Sequence, residues 1–169
     1  MEIRKSRFDD LDEIMRIYAN AREYMAKTGN PKQWGATGWP PRELIEQDIR
    51  QEKSYVCIRD GGIAAVFFFD FGENIDPCYD VIEDGEWLDP SPYGVVHRIA
   101  AAQAGTGAGG FSINWAFEQC GHLRMDTHAD NRVMRHLLTK LGFQRRGIIH
   151  IVEDNDPRIA YEKSRRRTQ

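Results

Sequence analysis

The sequence predicts a single α/β domain over residues 1–169, with a central mixed sheet flanked by helices. Three observations point there. Residues 95–143 read as strand, glycine loop, helix, strand and helix. The segments on either side alternate with the two-residue period of strands or the 3.6-residue period of helices. The 169 residues are 41 % hydrophobic and 29 % charged, an ordinary balance for a chain that buries its own core.

Each element has its own signal. Residues 1–8 alternate, Ile3, Lys5 and Arg7 opposing Arg4, Ser6 and Phe8, as in an edge-like strand. Asp9 and Asp10 can cap the next helix, where Leu11, Ile14, Met15, Ile17 and Tyr18 share a face. That helix extends to Lys27 and is stopped by Thr28, Gly29, Asn30 and Pro31. An aromatic loop holding Trp34 and Trp39 follows. Pro41 suits a first helical turn, and Leu44, Ile45, Asp48 and Ile49 continue it. Residues 54–59 and 63–71 are strands joined by Asp60-Gly61-Gly62, a hairpin chemistry. The nearly unbroken apolar run of the second predicts cover on both faces.

Residues 72–94 form a long acidic excursion, with Asp76, Asp80, Glu83, Asp84, Glu86 and Asp89 interleaved by Tyr79, Trp87 and Tyr93. Asp89-Pro90-Ser91-Pro92 disfavours regular structure, though a short strand or helical turn fits elsewhere. Residues 95–101 are a buried strand and residues 103–110 a glycine loop. A helix beginning near Gly107 covers residues 111–120, a strand residues 122–127, and a second helix residues 131–141, stopped by Gly142-Phe143. Residues 144–152 and 158–163 are strands around a turn at 153–157, and residues 163–169 are a basic tail that frays.

Bulk charge narrows the function. A net charge of −3 does not suit a nucleic-acid binder, and Arg165-Arg166-Arg167 is a solvated tail cluster. Three widely spaced cysteines indicate neither a disulfide framework nor a zinc site; Cys57 fits a core strand and Cys120 a helix end. The longest apolar run, residues 63–69, is too short to span a bilayer, and no signal peptide is evident, so the cytoplasm is expected. Asp126-x-His128-x-Asp130 is not read as a metal site, because Asn131 opens a helix beside it. No Ser or Cys is flanked by an evident base.

The glycine loop carries the chemistry. Glycines let backbone N–H groups approach a ligand, and a helix start leaves N–H groups unpaired with partial positive charge, so a pyrophosphate fits. A kinase-type P-loop is excluded, since Phe111 rather than Lys-Ser or Lys-Thr follows Gly110. Gly105-x-Gly107-x-x-Gly110, with Asp126 ending the next strand, also matches a dinucleotide fingerprint. That motif normally opens its domain, and here it starts past residue 100 of 169.

Ala104-Gly105-Thr106-Gly107-Ala108-Gly109 resembles the Arg/Gln-x-x-Gly-x-Gly/Ala loop of the GNAT family of N-acetyltransferases. Asn131-x-x-Met134-x-x-Leu137-Leu138-x-x-x-Gly142-Phe143 resembles that family's second signature. The resemblance extends over the whole chain. His97-Arg98-Ile99-Ala100 with Asp126-Thr127-His128-x-Asp130-Asn131 is similar to a largely uncharacterised bacterial subgroup. Two positions depart from the family pattern: Ala104, with Gln103 beside it, replaces an Arg or Gln, and Leu138 replaces a Tyr that often protonates the departing thiolate.

The resemblance implies a GNAT-like acyl-CoA N-acyltransferase fold and acetyl-CoA as donor, with CoA as product. The pyrophosphate would lie on the amides of Ala104, Gly105, Thr106, Gly107, Ala108, Gly109 and Gly110. The pantetheine arm would run beside Ile99, Ala100 and Ala101, with Asn131 reaching it. Met134 and Leu138 would cover the thioester end or simply pack as helix core. Direct transfer to a primary amine, of a small molecule or a protein, would use a backbone N–H near Ile99 to steady the oxyanion. The candidates for deprotonating the amine are His97, then Glu73, then Tyr93. Trp34 and Trp39 would shape the acceptor pocket or form a packed lid. Tyr79 and Trp87, among acidic residues, would suit a cationic acceptor or sit in a solvated loop. Homodimers are common in the family. Two other readings stay open: a non-catalytic acyl-CoA-binding module, and a dinucleotide-binding oxidoreductase domain.

Overall fold

The computed structural model describes residues 1–35, 37–152 and 155–166. The strands are β1 (Glu2–Lys5), β2 (Ser54–Arg59), β3 (Gly62–Gly72), β4 (Tyr93–Ala101), β5 (His122–Thr127), β6 (Gln144–His150) and β7 (Pro157–Ser164). The α-helices are α1 (Leu11–Lys27), α2 (Arg42–Arg50), α3 (Ala108–Cys120) and α4 (Arg132–Lys140). Single 3-10 turns occupy Phe8–Asp10 and Pro77–Tyr79. The seven strands form one mixed sheet in the order β1-β2-β3-β4-β5-β7-β6. The pairs β1/β2, β2/β3, β5/β7 and β6/β7 are antiparallel, and β4/β5 is parallel. No helix among the described residues is long and apolar enough to cross a membrane.

Several elements are shorter or longer than the sequence suggests, for local reasons. Strand β1 stops at Lys5 instead of reaching Phe8. The Asp10 carboxylate takes two hydrogen bonds from Arg4, at 2.7 and 2.9 Å, and one from the Arg7 amide, which folds the chain into the 3-10 turn. Asp10 therefore closes that turn and makes no side-chain cap on α1. Those contacts hold its carboxyl below the usual range, the Arg4 hydrogen bonds first, against a burial that raises it. Helix α3 starts at Ala108, one residue past the start expected near Gly107. The turn expected at 153–157 lies partly outside the described residues, as does the tail beyond Arg166. The tail before it is not frayed: Lys163 and Ser164 belong to β7, and Arg165 donates its amide to the Gly121 carbonyl at 2.8 Å and pairs with Glu118.

The chain divides into two compact units, residues 1–69 with 97–115, and residues 70–96 with 116–169. In the first, the apolar stripe of α1 and Ile45 and Ile49 of α2 pack on Val56, Ile63, Val66 and Ala100. The opposite face of β2 and β3 carries Cys57 and Ala65, covered by Ala108 of α3. The register shifts between Cys57↔Ala65 and Ile58↔Ile63, so Ala64 is an extra bulge residue. In the second unit, Leu123, Met125, Ile149 and Tyr161 are buried along β5, β6 and β7.

Candidate functional site

The glycine loop belongs to the first unit. Gly105 and Gly107 adopt φ of +77° and +79°, and an added Cβ at either would meet nothing within 4 Å. Glycine is therefore required there by backbone conformation rather than by space. Thr106 ties the turn, donating its hydroxyl to the Gln103 carbonyl at 3.2 Å and accepting from the Ala108 amide at 3.4 Å. Ala108, Gly109 and Gly110 head α3, where the helix dipole is positive. The Ala102 amide donates to the Ala64 carbonyl at 2.9 Å, which sets the loop beside the start of β3. The exposed loop and Arg59, Asp60 and Gly62 line a cavity of about 540 Å³.

Arg59 is a site residue that the sequence alone does not reveal. No cation lies within the loop, yet Arg59 Nη1 donates to the Thr106 carbonyl at 3.3 Å, and Arg59 Nε lies 3.5 Å from Asp60. The usable signal was the hairpin at 60–62, which returns the end of β2 toward whatever β3 starts against.

On β4, His97 is half-buried with its ring over Phe68, centroids 6.0 Å apart. Arg98 is left-handed, φ +51°, within a strand. Its carbonyl accepts from the Tyr18 hydroxyl at 2.7 Å. Its guanidinium forks onto Asp48 of α2 at 2.8 to 3.1 Å and stacks on Phe68 at 4.6 Å. Burial pushes the Asp48 carboxyl upward against the pull of Arg98, and pushes the Tyr18 hydroxyl upward as well. Ile99 and Ala101 are half-buried and Ala100 buried. Trp34 packs edge-on against Tyr18, centroids 5.8 Å apart; Trp39 accepts from Arg22 through its carbonyl.

In the second unit the aromatics of the excursion turn inward. The Tyr79 hydroxyl donates to Asp126 at 2.7 Å, and Trp87 Nε1 donates to the Tyr79 carbonyl at 2.9 Å. Burial foremost, then the Asp126 charge, raises the Tyr79 hydroxyl well above its usual value. Arg124 lies over the rings of Trp87 and Tyr93 at 4.3 and 4.1 Å and donates to the Asp89 carbonyl at 2.8 Å. Tyr93 is buried and its oxygen accepts from the Asp76 amide at 3.4 Å, whereas Glu73 is exposed. Glu162 accepts from the Leu88 amide at 3.0 Å and holds His122 Nε2 at 2.9 Å. Ser91 Oγ lies 3.2 Å from His122 Nδ1, a serine–imidazole contact not foreseen from the sequence. That nitrogen also faces the Pro92 carbonyl at 3.2 Å, so the ring bridges the excursion to β7 rather than standing open to activate a nucleophile.

Helix α4 begins with Asn131 Oδ1 accepting from the Met134 amide at 3.1 Å. Met134 is half-buried and Leu138 is fully buried. The Asp130 amide donates to His128 Nδ1 at 3.1 Å. Among the described residues no group of three His, Cys, Asp or Glu side chains could hold a metal ion.

No family model matches the chain, and no curated protein matches it. Solved structures do. A GNAT-family acetyltransferase from Streptococcus agalactiae is 34 % identical, with 98 % of this chain and 96 % of that one covered and a TM-score of 0.88. A GNAT-family acetyltransferase from Listeria monocytogenes is 19 % identical, covering 96 % and 93 %, at TM-score 0.68. A ribosomal-protein-alanine N-acetyltransferase from Brucella melitensis is 17 % identical, covering 97 % and 99 %, at TM-score 0.65. At these lower identities the likeness is one of fold.

Proposed function

Because the chain belongs to the GNAT family of acetyltransferases, we propose that it transfers an acetyl group from acetyl-CoA to a primary amine of a small molecule or a protein. The observation that carries this reading is the loop at 103–107, with two glycines at positive φ, running into the first turn of α3 beside Arg59. Those features suit a diphosphate: backbone amides approach closely, the helix start favours anions, and one guanidinium adds charge. Ala104, Gly105, Thr106, Gly107, Ala108, Gly109 and Gly110 are the proposed pyrophosphate residues, and Ile99, Ala100 and Ala101 the strand that borders the arm. Asn131, Met134 and Leu138 follow from the family signature, with Leu138 too buried to present surface.

When bound, acetyl-CoA would supply an activated acyl carbon open to direct attack. The protein must then accept a proton from the incoming ammonium and place a donor at the oxyanion. His97 is the proposed proton acceptor, since an imidazole nitrogen can take up a proton and its ring is only half-buried. Glu73, exposed, and Tyr93, buried with its oxygen engaged, rank behind it. Trp34 and Trp39 remain proposed acceptor residues. Tyr79 and Trp87 would act from inside the excursion by shaping it. A homodimer is proposed by family analogy alone.

A second reading, a non-catalytic acyl-CoA-binding module, is favoured by one residue. Leu138 stands where the family's proton donor is usual, and it is fully buried. The dinucleotide reading is disfavoured by topology: a doubly wound sheet is parallel, and four of the strand pairs here are antiparallel.

Thermal unfolding with acetyl-CoA, CoA, NAD and NADP tests the proposal. A ligand at a hundred times its dissociation constant adds about 2.7 kcal/mol, a shift of several degrees. Stabilisation by acetyl-CoA and CoA alone is expected, and turnover in a subsequent amine screen separates the enzyme from the binding module. Stabilisation by a nicotinamide dinucleotide alone would overturn the assignment.

A further inference from the structure

Two buried polar side chains, Tyr18 and Asp48, hold a single residue of β4. Arg98 holds φ +51°, a conformation that an L residue with a long side chain keeps only where its surroundings impose it. Tyr18, 1 % exposed, donates its hydroxyl to the Arg98 carbonyl at 2.7 Å. Asp48, 4 % exposed, grips the Arg98 guanidinium through both carboxylate oxygens. Phe68 supports the guanidinium face at 4.6 Å. Two helices thus fix both ends of one residue, α1 its carbonyl and α2 its side chain.

The consequence lies one atom further on. The Arg98 carbonyl and the Ile99 amide belong to the same planar trans peptide, so they point in opposite directions. A hydrogen bond that fixes the carbonyl also fixes the N–H. We propose that Tyr18, Asp48 and Arg98 are positioning residues whose joint task is to aim the Ile99 N–H at the acyl carbonyl oxygen of the donor. This rests on the acyl-CoA reading above. It adds to that reading which side chains hold the oxyanion donor, from elements otherwise plain scaffold.

The test uses the full-length, 15N-labelled protein and its Tyr18→Phe variant, which removes one hydroxyl and keeps the ring. Both are titrated with acetyl-CoA and with CoA. In the wild type the Ile99 amide proton should move further downfield with acetyl-CoA than with CoA, because only the former carries the carbonyl. In Tyr18→Phe that difference should vanish, while CoA affinity stays within about twofold. Asp48→Asn, the second variant, should reproduce the effect if Tyr18→Phe fails to fold. With an acceptor in hand, kcat should fall about tenfold with little change in the acetyl-CoA KM. An Ile99 shift difference that persists in both variants overturns the proposal. A wild type that binds neither ligand overturns the acyl-CoA reading and this inference with it.

Discussion

The two units bury charge in opposite ways. The first sets one anion against one cation, Asp48 against Arg98, with hydrogen-bond geometry matched on both sides. The second crowds several charges together. Glu162 faces His122 at 2.9 Å, Arg146 at 3.2 Å and Arg124 at 3.5 Å, and Asp89 lies 3.7 Å from His122. The difference follows what each must hold. Asp48 and Arg98 fix one backbone angle in a strand that already has sheet neighbours. The second cluster fixes residues 72–92, nearly all outside regular structure, whose backbone groups need partners that no ladder provides. Glu162 accepts from the Leu88 amide and Arg124 donates to the Asp89 carbonyl, so side chains replace the ladder.

The largest effect should therefore come from Glu162. Glu162→Gln keeps the shape but leaves the buried Arg124 guanidinium, the partly buried Arg146 guanidinium and an imidazole without their shared anion. Removing one partner of a buried ionic cluster costs roughly 3–5 kcal/mol. Asp48→Asn leaves one guanidinium, itself 15 % exposed, and should cost roughly 1–3 kcal/mol. Denaturant unfolding of the two variants measures both. Equal losses would erase the contrast between a matched pair and a shared anion.

Acid should separate the units next. Burial would raise the Asp89 carboxyl, but hydrogen bonds from the Ser164 hydroxyl and from Ser91 outweigh it and bring it to about 2. Burial likewise acts upward on Glu162, and its contacts with His122 and the Leu88 amide lower it overall. A carboxyl depressed on folding stabilises the protein above its unfolded value, and that contribution disappears as pH falls through the folded value. For Asp89 the loss runs from just above 3.8 down to about 2 and amounts to roughly 2 kcal/mol. Asp48 is shifted the other way, so acidification relieves its burial instead. Amide exchange from pH 5 to pH 2 should show β5 and β7 losing protection before α1 and α2, and Asp89→Asn should flatten that dependence. Simultaneous loss in all four elements would mean that the buried carboxyls of the second unit do not set its acid response.

What was legible in the sequence follows the range of the interactions. Hairpin chemistry at 60–62 and helical spacing in 11–27 are local patterns, and those elements stand within a residue or two of their expected ends. The glycine loop was legible because φ > 0 excludes most side chains. Arg98 was not, because nothing in its residue type announces a left-handed angle; the only hint was Asp48, a carboxylate on the apolar face of α2. The sequence offers Tyr79 and Trp87 as acceptor contacts or members of a solvated loop, and Tyr93 as a candidate base, but not the contacts that hold them. Their cover comes from Arg124 and Asp126, more than thirty residues further along the chain, and no spacing rule reaches that far. Arg59 was missed for the same reason, since its partner Thr106 is 47 residues away.

Arg59 gives the smallest effect, and it marks a third kind of polar contact. Its side chain is 48 % exposed, so its pairing with Asp60 adds little to stability, and Arg59→Ala should move the unfolding free energy by less than about 0.5 kcal/mol. The effect should appear in ligand binding instead. A guanidinium tethered to the Thr106 carbonyl places charge at the loop where a diphosphate is proposed, and one partly solvated charge is worth about 0.5–1 kcal/mol, a roughly two- to fivefold weaker CoA affinity. Because the site is open to water, raising the salt to about 1 M shortens the screening length to roughly 3 Å and should bring variant and wild type together. Calorimetric titration with CoA at low and high salt reads this directly. A loss of stability without a loss of affinity would make Arg59 a brace for the loop, closer in kind to Arg98 than to a ligand contact.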